Sequence, residues 1–296
     1  MLRLYCRRNF VASNSIETAR KNMNRIAAVR SALLHKKFPR AKFEPIELGS
    51  VSGEKIHVEG KTQPGCLLYF HGGGYFMGSV ATHRGFGLRL AFRSQRPVYL
   101  VEYRLAPENP YPAALEDALA SYQALCKLYP AKSILLGGDS AGGGLALALL
   151  LKLKETGGDF PAGAFCLSPW TDLSCSEESH RFNAKHDYMF QPEHFEQWAP
   201  LYVGKESPTN PFISPLFGDP TGLPPIFIQV GAHEMLLDDS RSFARRAREA
   251  GVETELEVWD GMQHVWQIAL PHLPESKKAV QKITAFIEKQ LTGNGS

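Results

Sequence analysis

The chain has 296 residues, of which 44% are hydrophobic and 21% charged, and its formal net charge is +3. That is the composition of a soluble globular protein able to bury a sizeable core. The small charge, with no aromatic-interleaved basic strand or recognition helix, argues against nucleic-acid binding. No run approaches the roughly eighteen apolar residues that span a bilayer. Met1 to Phe10 carries basic residues but no signal-peptide apolar core behind them, so the protein reads as cytoplasmic. The five cysteines, Cys6, Cys66, Cys126, Cys166 and Cys175, are odd in number and scattered. With no Cys-x-x-Cys spacing and no histidine at ligand spacing, they read as free thiols, and no structural metal or other cofactor is expected.

From about Ser15 to Phe38 apolar residues recur at helical spacing, and Pro39 ends the pattern. Basic residues there, such as Arg20, Lys21 and Arg25, read as a solvated face. Two strand-like pieces follow, Phe43 to Val51 and Lys55 to Val58. The chain then alternates apolar strands with helices. The strands are Cys66 to Phe70, Val98 to Tyr103, Ser133 to Leu136, Ala164 to Leu167, Ile226 to Val230 and Thr254 to Trp259. The helices are Thr82 to Phe92, Ala113 to Leu128, Gly143 to Lys154, Asp239 to Ala250 and Glu275 to Leu291. This alternation predicts a mostly parallel sheet with helices on both faces, whose ligands sit beyond the carboxyl ends of the strands. One interval, between Ser174 and Pro225, has no clear strand and holds seven prolines before Pro225 itself, with many aromatics. A long insertion of that kind lies over a site or forms a packed subdomain. It is read as a cap of about residues 175–222, joined by the amino-terminal stretch of about 1–45, on a single domain spanning 1–296.

Chemistry-bearing strings fall at strand ends. His71-Gly72-Gly73-Gly74-Tyr75 directly follows the strand ending at Phe70, and its glycine backbone can approach a substrate closely. His71 is read as holding this loop. Gly138-Asp139-Ser140-Ala141-Gly142 lies between a strand and a helix, the pattern of a nucleophile elbow with Ser140 at its tip. The N–H of Ala141 and those of the glycine loop are candidate oxyanion donors. The interval after Val230 offers Glu234, Asp238 and Asp239. Glu234 is nearest to the strand end and is favoured as an orienting acid, with Asp238 the alternative, because Asp238 and Asp239 also suit the start of a helix. His264 follows the last strand and is placed to serve as base.

With these residues in place, the chain resembles the hormone-sensitive-lipase-like, bacterial group IV carboxylesterases of the α/β-hydrolase superfamily. The likeness rests on His71-Gly72-Gly73-Gly74, on Gly138-Asp139-Ser140-Ala141-Gly142-Gly143, and on Tyr103-Arg104-Leu105-Ala106-Pro107-Glu108 running on to Pro112-Ala113-Ala114-Leu115-Glu116-Asp117. It extends to Ser168-Pro169-Trp170-Thr171-Asp172-Leu173 and to the His264 loop. The resemblance implies an α/β-hydrolase fold with a helical cap, and Gly73 and Gly74 as oxyanion donors alongside Ala141. The family's acid motif, Asp-Pro-Leu-x-Asp, falls on Glu234-Met235-Leu236-Leu237-Asp238, with Glu for the acid and Met for the proline. The Tyr103-Arg104 and Trp170-Asp172 strings are read as supporting the loops around the site.

The expected activity is hydrolysis of short- to medium-chain carboxylic esters through an acyl-enzyme, with Ser140 as nucleophile, His264 as base and Glu234 as acid. Tyr75, Phe76, Met77 and Trp266 are candidate pocket residues. Lactone, amide or carbamate hydrolysis with the same triad is the alternative, since fold does not choose substrate. A non-catalytic ligand-binding protein on this scaffold is the reading from another class. The partner is a small-molecule ester, with no nucleic acid and no stable membrane association. A homodimer is possible if the last strand forms a sheet edge.

Overall fold

Strands β1 (Ala41–Leu48) and β2 (Val51–Val58) make an antiparallel hairpin, and β2 pairs antiparallel with β4 (Val98–Val101). The remaining partners run parallel: β3 (Cys66–Phe70) with β4 and with β5 (Ile134–Asp139), then β6 (Gly163–Leu167), β7 (Ile226–Gly231) and β8 (Thr254–Trp259) in turn. The order across this eight-stranded sheet is β1-β2-β4-β3-β5-β6-β7-β8. The computed structural model describes residues 16–60 and 62–292. Expectations for residues 1–15, including Cys6 and the start of the cap, lie outside the described residues. Among the described residues no helix is long and apolar enough to cross a membrane.

Alternation along the central strands sorts the core into two layers, because successive side chains point to opposite faces. Leu68, Phe70, Leu136, Cys166, Ile226 and Ile228 pack with α3 (Ala113–Cys126), α4 (Ala141–Thr156) and α7 (Leu237–Glu249). Leu67, Tyr69, Leu135, Phe165, Leu167 and Phe227 pack with α2 (Val80–Ser94) and α9 (Pro274–Thr292). Each fully buried Leu or Phe contributes roughly 1.5–3 kcal/mol. Helix α4 is buried along nearly its whole length, which explains why its sequence is apolar on every side.

Several boundaries differ from the expected ones for local reasons. The first strand stops at Leu48, and the tight turn before Val51 falls inside the stretch read as one strand to Val51. Strand β4 ends at Val101, because Tyr103 turns from the sheet to donate its hydroxyl to the His71 carbonyl at 2.6 Å. Helix α2 begins at Val80 rather than Thr82, where a capping box between Ser79 and Thr82 satisfies its first N–H groups.

Order of pairing changes direction around β3 and β5, so the carboxyl ends of these two strands border a topological switch point. Two stretches outside the sheet converge on the loops there. Helix α1 (Ile16–Lys37) is pinned by Arg20 and by Asn24, whose side-chain oxygen accepts from Ser79 Oγ at 2.9 Å. The long excursion between β6 and β7 carries α5 (Ser179–Phe182) and α6 (Pro192–Val203) and has no strand. One correction concerns the expected cap limits: residues 41–45 belong to β1, in the sheet, because they pair with β2 from Val58 back to Glu54.

Candidate active site

Ser140 sits between β5 and α4 with φ 53° and ψ −123°, a conformation L-residues rarely adopt. Three backbone bonds hold it there. Ser140 N donates to Leu167 O at 2.8 Å, while its carbonyl accepts from Trp170 N at 3.0 Å and Gly144 N at 3.1 Å. Close approach of β3 to the start of α4 requires glycine at 142, where a Cβ would lie 2.1 Å from the Phe70 carbonyl oxygen. Ala141 opens α4, so its N–H has no partner within the helix and stands at the positive end of the helix dipole.

The Gly72–Gly74 loop faces this turn. Gly73 has φ 121°, and a Cβ there would meet the Met77 carbonyl oxygen at 2.2 Å. The Gly73 carbonyl accepts from Met77 N at 2.9 Å and Phe76 N at 3.2 Å, which closes the loop on itself. Gly72 N donates to Asp139 Oδ1 at 3.0 Å, tying the loop to the residue before Ser140. Asp139 also accepts from Tyr69 Oη at 2.7 Å and lies 3.2 Å from His83 Nε2. Although burial pushes the Asp139 carboxyl up, His83 and Tyr69 hold it below the usual range.

His71 is as the sequence suggested: its Nδ1 bonds to the Gly72 carbonyl at 2.9 Å and its ring stacks on Tyr103 at 4.3 Å. Burial, with His83 beside it, pushes its pKa down to about 3, so it stays neutral.

His264 is buried, and its Nδ1 lies 2.6 Å from Glu234 Oε2. The other oxygen, Glu234 Oε1, accepts from Ser168 Oγ at 2.7 Å and Gly231 N at 2.6 Å. Ser168 Oγ in turn accepts from Val265 N at 3.3 Å. Both oxygens of the buried carboxylate are thus satisfied, and the Nδ1 bond leaves Nε2 as the imidazole nitrogen available for proton transfer. Burial pushes the His264 pKa down, but the charge and hydrogen bond of Glu234, helped by Asp187 and Asp139, raise it above the ordinary 6.5.

The competing carboxylates are engaged elsewhere. Asp238 accepts from Ser179 N at 3.0 Å and pairs with Arg241. Asp239 accepts from Thr171 N at 2.9 Å and Asp172 N at 3.0 Å and holds His180 Nε2 at 3.0 Å. That buried pairing keeps His180 protonated, its pKa pushed up to about 10 against the opposing pull of burial.

Aromatic side chains gather around this centre. Tyr75 stacks on Tyr202 at 3.8 Å, Phe76 meets Trp198 at 5.2 Å, and Met77 is buried beside them in the same core. Phe190 presents an edge contact to the His264 ring at 4.8 Å and packs on Phe195 and Trp198. Trp266 departs from expectation. It is wholly buried and packs on Trp259 of β8 at 5.6 Å, so it supports the His264 loop from the sheet edge rather than joining the cluster.

Sequence reasoning missed Ser168, Asn183 and Asp187. Ser168 has φ 47° directly after β6, and the resemblance covers its string without giving the serine a role. The others sit in the proline-rich excursion, where no periodic pattern marks them. Asn183 Nδ2 donates to Ala232 O at 3.0 Å and Glu234 O at 2.8 Å, so it grips the loop that carries Glu234. Among the described residues no group of three or more His, Cys, Asp or Glu could hold a metal ion.

A family model described as alpha/beta hydrolase fold matches residues 67–268. An acetyl-hydrolase of Streptomyces hygroscopicus is 41% identical over 230 residues, 77% of each chain. An esterase of Acinetobacter venetianus is 40% identical over 250 residues, 84% of this chain and 82% of its own. The crystal structure of an esterase from the bacterial hormone-sensitive lipase family superposes with a TM-score of 0.90 at 39% identity, covering 98% of this chain and 96% of the other. EstE5, in a crystal soaked with p-nitrophenyl butyrate, superposes with a TM-score of 0.89 at 35% identity, covering 98% and 97%.

Proposed function

The chain belongs to the α/β-hydrolase family and is a carboxylic ester hydrolase of the bacterial hormone-sensitive-lipase group, and from that premise we propose that Ser140, His264 and Glu234 form its catalytic triad. The observation that carries this reading is the 2.6 Å contact of Glu234 Oε2 with His264 Nδ1. The end of β6 links the two loops, because Leu167 O accepts from Ser140 N at 2.8 Å and Ser168 Oγ from Val265 N at 3.3 Å. Ser140 Oγ bonds to the substrate carbonyl carbon as its proton passes to His264 Nε2. The negative charge moves onto the carbonyl oxygen, where the N–H groups of Gly73, Gly74 and Ala141 receive it. Collapse of this adduct breaks the ester C–O bond, and Nε2 returns the proton to the departing alcohol. Water then attacks the acyl-serine by the same steps in reverse, releasing the acid and restoring Ser140 Oγ–H.

Helix α1 and the stretch 175–222 act as a cap in this reading, with Phe76, Phe190, Phe195 and Trp198 walling the acyl side. Bulky rings this near His264 favour short to medium acyl chains, as does the likeness to a protein soaked with a butyrate ester. Pairing of two copies along the edge strand β8, where Val258 is exposed, is the dimer this reading favours, and sedimentation of Val258→Lys tests it. The free thiols Cys66, Cys126, Cys166 and Cys175 suit a reducing cytoplasm, which cell fractionation tests.

Hydrolysis of p-nitrophenyl esters of increasing acyl length tests the function. Ser140→Ala is expected to lower turnover by about 10⁵-fold or more without unfolding the protein. Turnover kept at the wild-type level would remove Ser140 from the mechanism.

A further inference from the structure

Asp187 lies in the excursion between β6 and β7, far in sequence from the triad, and is almost wholly buried. Its two oxygens are used differently. Oδ1 accepts from Met189 N at 2.7 Å and Phe190 N at 2.9 Å, fixing the turn that brings the Phe190 ring against His264. Oδ2 accepts from Met235 N at 2.9 Å, the backbone amide directly after Glu234. One buried carboxylate therefore bridges the residue that packs on the histidine and the residue that follows its acid. A buried anion without such donors would carry a large desolvation cost, so these three N–H groups and Asp187 hold one another in place.

Met235 is central to this arrangement. The family motif has proline at this position, and proline has no N–H to give. Glutamate at 234 also reaches one methylene further than aspartate, so its loop needs a defined backbone position to put Oε2 at Nδ1. The Met235–Asp187 bond and the two bonds from Asn183 supply that position.

We propose that Asp187 is a positioning residue for hydrolysis, fixing the Glu234 loop through Met235 and the Phe190 contact on His264; this rests on the triad reading above. It touches no reacting atom. Its effect falls on the geometry and charge around His264, which faces the titratable groups Glu234, Asp187 and Asp139. Asp187 adds to the influences that raise the His264 pKa.

Asp187→Asn is the discriminating change. An amide oxygen can still accept from Met189 and Phe190, but the amide NH₂ cannot accept from Met235 N. The expected result with a p-nitrophenyl ester is a kcat lower by about tenfold, with KM within about twofold of wild type. The His264 ring, followed by NMR in the unreacted protein, is expected to titrate at lower pH than in wild type. In a Met235→Pro background, where the donor is already gone, Asp187→Asn is expected to cost less than about threefold, because the two residues act through one bond. Should Asp187→Asn fold poorly, Asp187→Ser keeps a short acceptor for the turn, cannot reach Met235, and gives the same comparison. An unchanged kcat and His264 titration overturn the proposal, as does an equal fold-loss in both backgrounds. Wild-type hydrolysis and its loss in Ser140→Ala test the triad reading separately, whereas the NMR titration needs no turnover.

Discussion

Asp139 Oδ1 accepts the amide proton of Gly72 at 3.0 Å, so the residue before Ser140 holds the loop that faces it. Ser140 and the glycine loop come from different strands, β5 and β3, and their relative position sets where an oxyanion can sit. Asp139→Asn weakens that tie and removes the charge paired with His83. Its kcat is expected to fall about 10- to 100-fold with KM little changed, as expected when oxyanion donors are misplaced. Asp139→Ala goes further by leaving buried Tyr69 Oη, Gly72 N and His83 without their acceptor, and is expected to lower stability by about 1–3 kcal/mol. Steady-state kinetics with denaturant unfolding separates the two effects. Equal kcat for wild type and Asp139→Asn would show that Gly72 needs no anion to stay in place.

Activity is expected to rise with pH on a limb set by His264. A histidine acting as base must be unprotonated, and its neighbours raise the His264 pKa above 6.5 despite burial. The kcat/KM profile therefore reaches half its plateau above pH 6.5 and falls at lower pH, where the imidazole is charged. Glu234→Gln removes the nearest negative charge, so the limb moves to lower pH while turnover drops about 10⁴-fold. A limb that stays fixed in this variant would mean that another group controls the profile.

Much of this architecture can be read along the chain, because strand and helix periods and strand-end motifs are local signals. Helix α4 and strand β8 lie where the apolar runs place them. His264 follows the last strand, and Glu234 proves to be the carboxylate at its Nδ1. What stays hidden depends on contacts between distant segments. Ser168 is 66 residues from Glu234, and Asp187 is 48 from Met235. Ser168 opens a string that marks the family, but nothing local ties its hydroxyl to Glu234, and Asp187 carries no pattern that distinguishes it from an ordinary loop aspartate. Trp266 shows the converse: nearness to His264 in sequence suggests a pocket wall, but the left-handed turn at Val265, with φ 45°, sends the indole toward Trp259.

Arg20 provides a direct test of how far helix α1 takes part. Its Nε donates to the Phe76 carbonyl at 2.7 Å and its Nη2 to the Ala106 carbonyl at 2.6 Å. The same guanidinium pairs with Glu108 at 2.8 Å, but that carboxylate is largely exposed. An exposed pair contributes only about 0–1 kcal/mol, so the two carbonyl bonds matter most. Phe76 lies two residues beyond Gly74, and its position fixes the end of the glycine loop. Arg20→Ala is expected to lower kcat/KM by roughly tenfold, with Glu108→Gln within about twofold of wild type. Arg20→Lys is not expected to restore activity, because a single ammonium cannot reproduce the planar fork that reaches both carbonyls. If Glu108→Gln costs as much as Arg20→Ala, the ion pair and not the grip on the glycine loop is what α1 supplies.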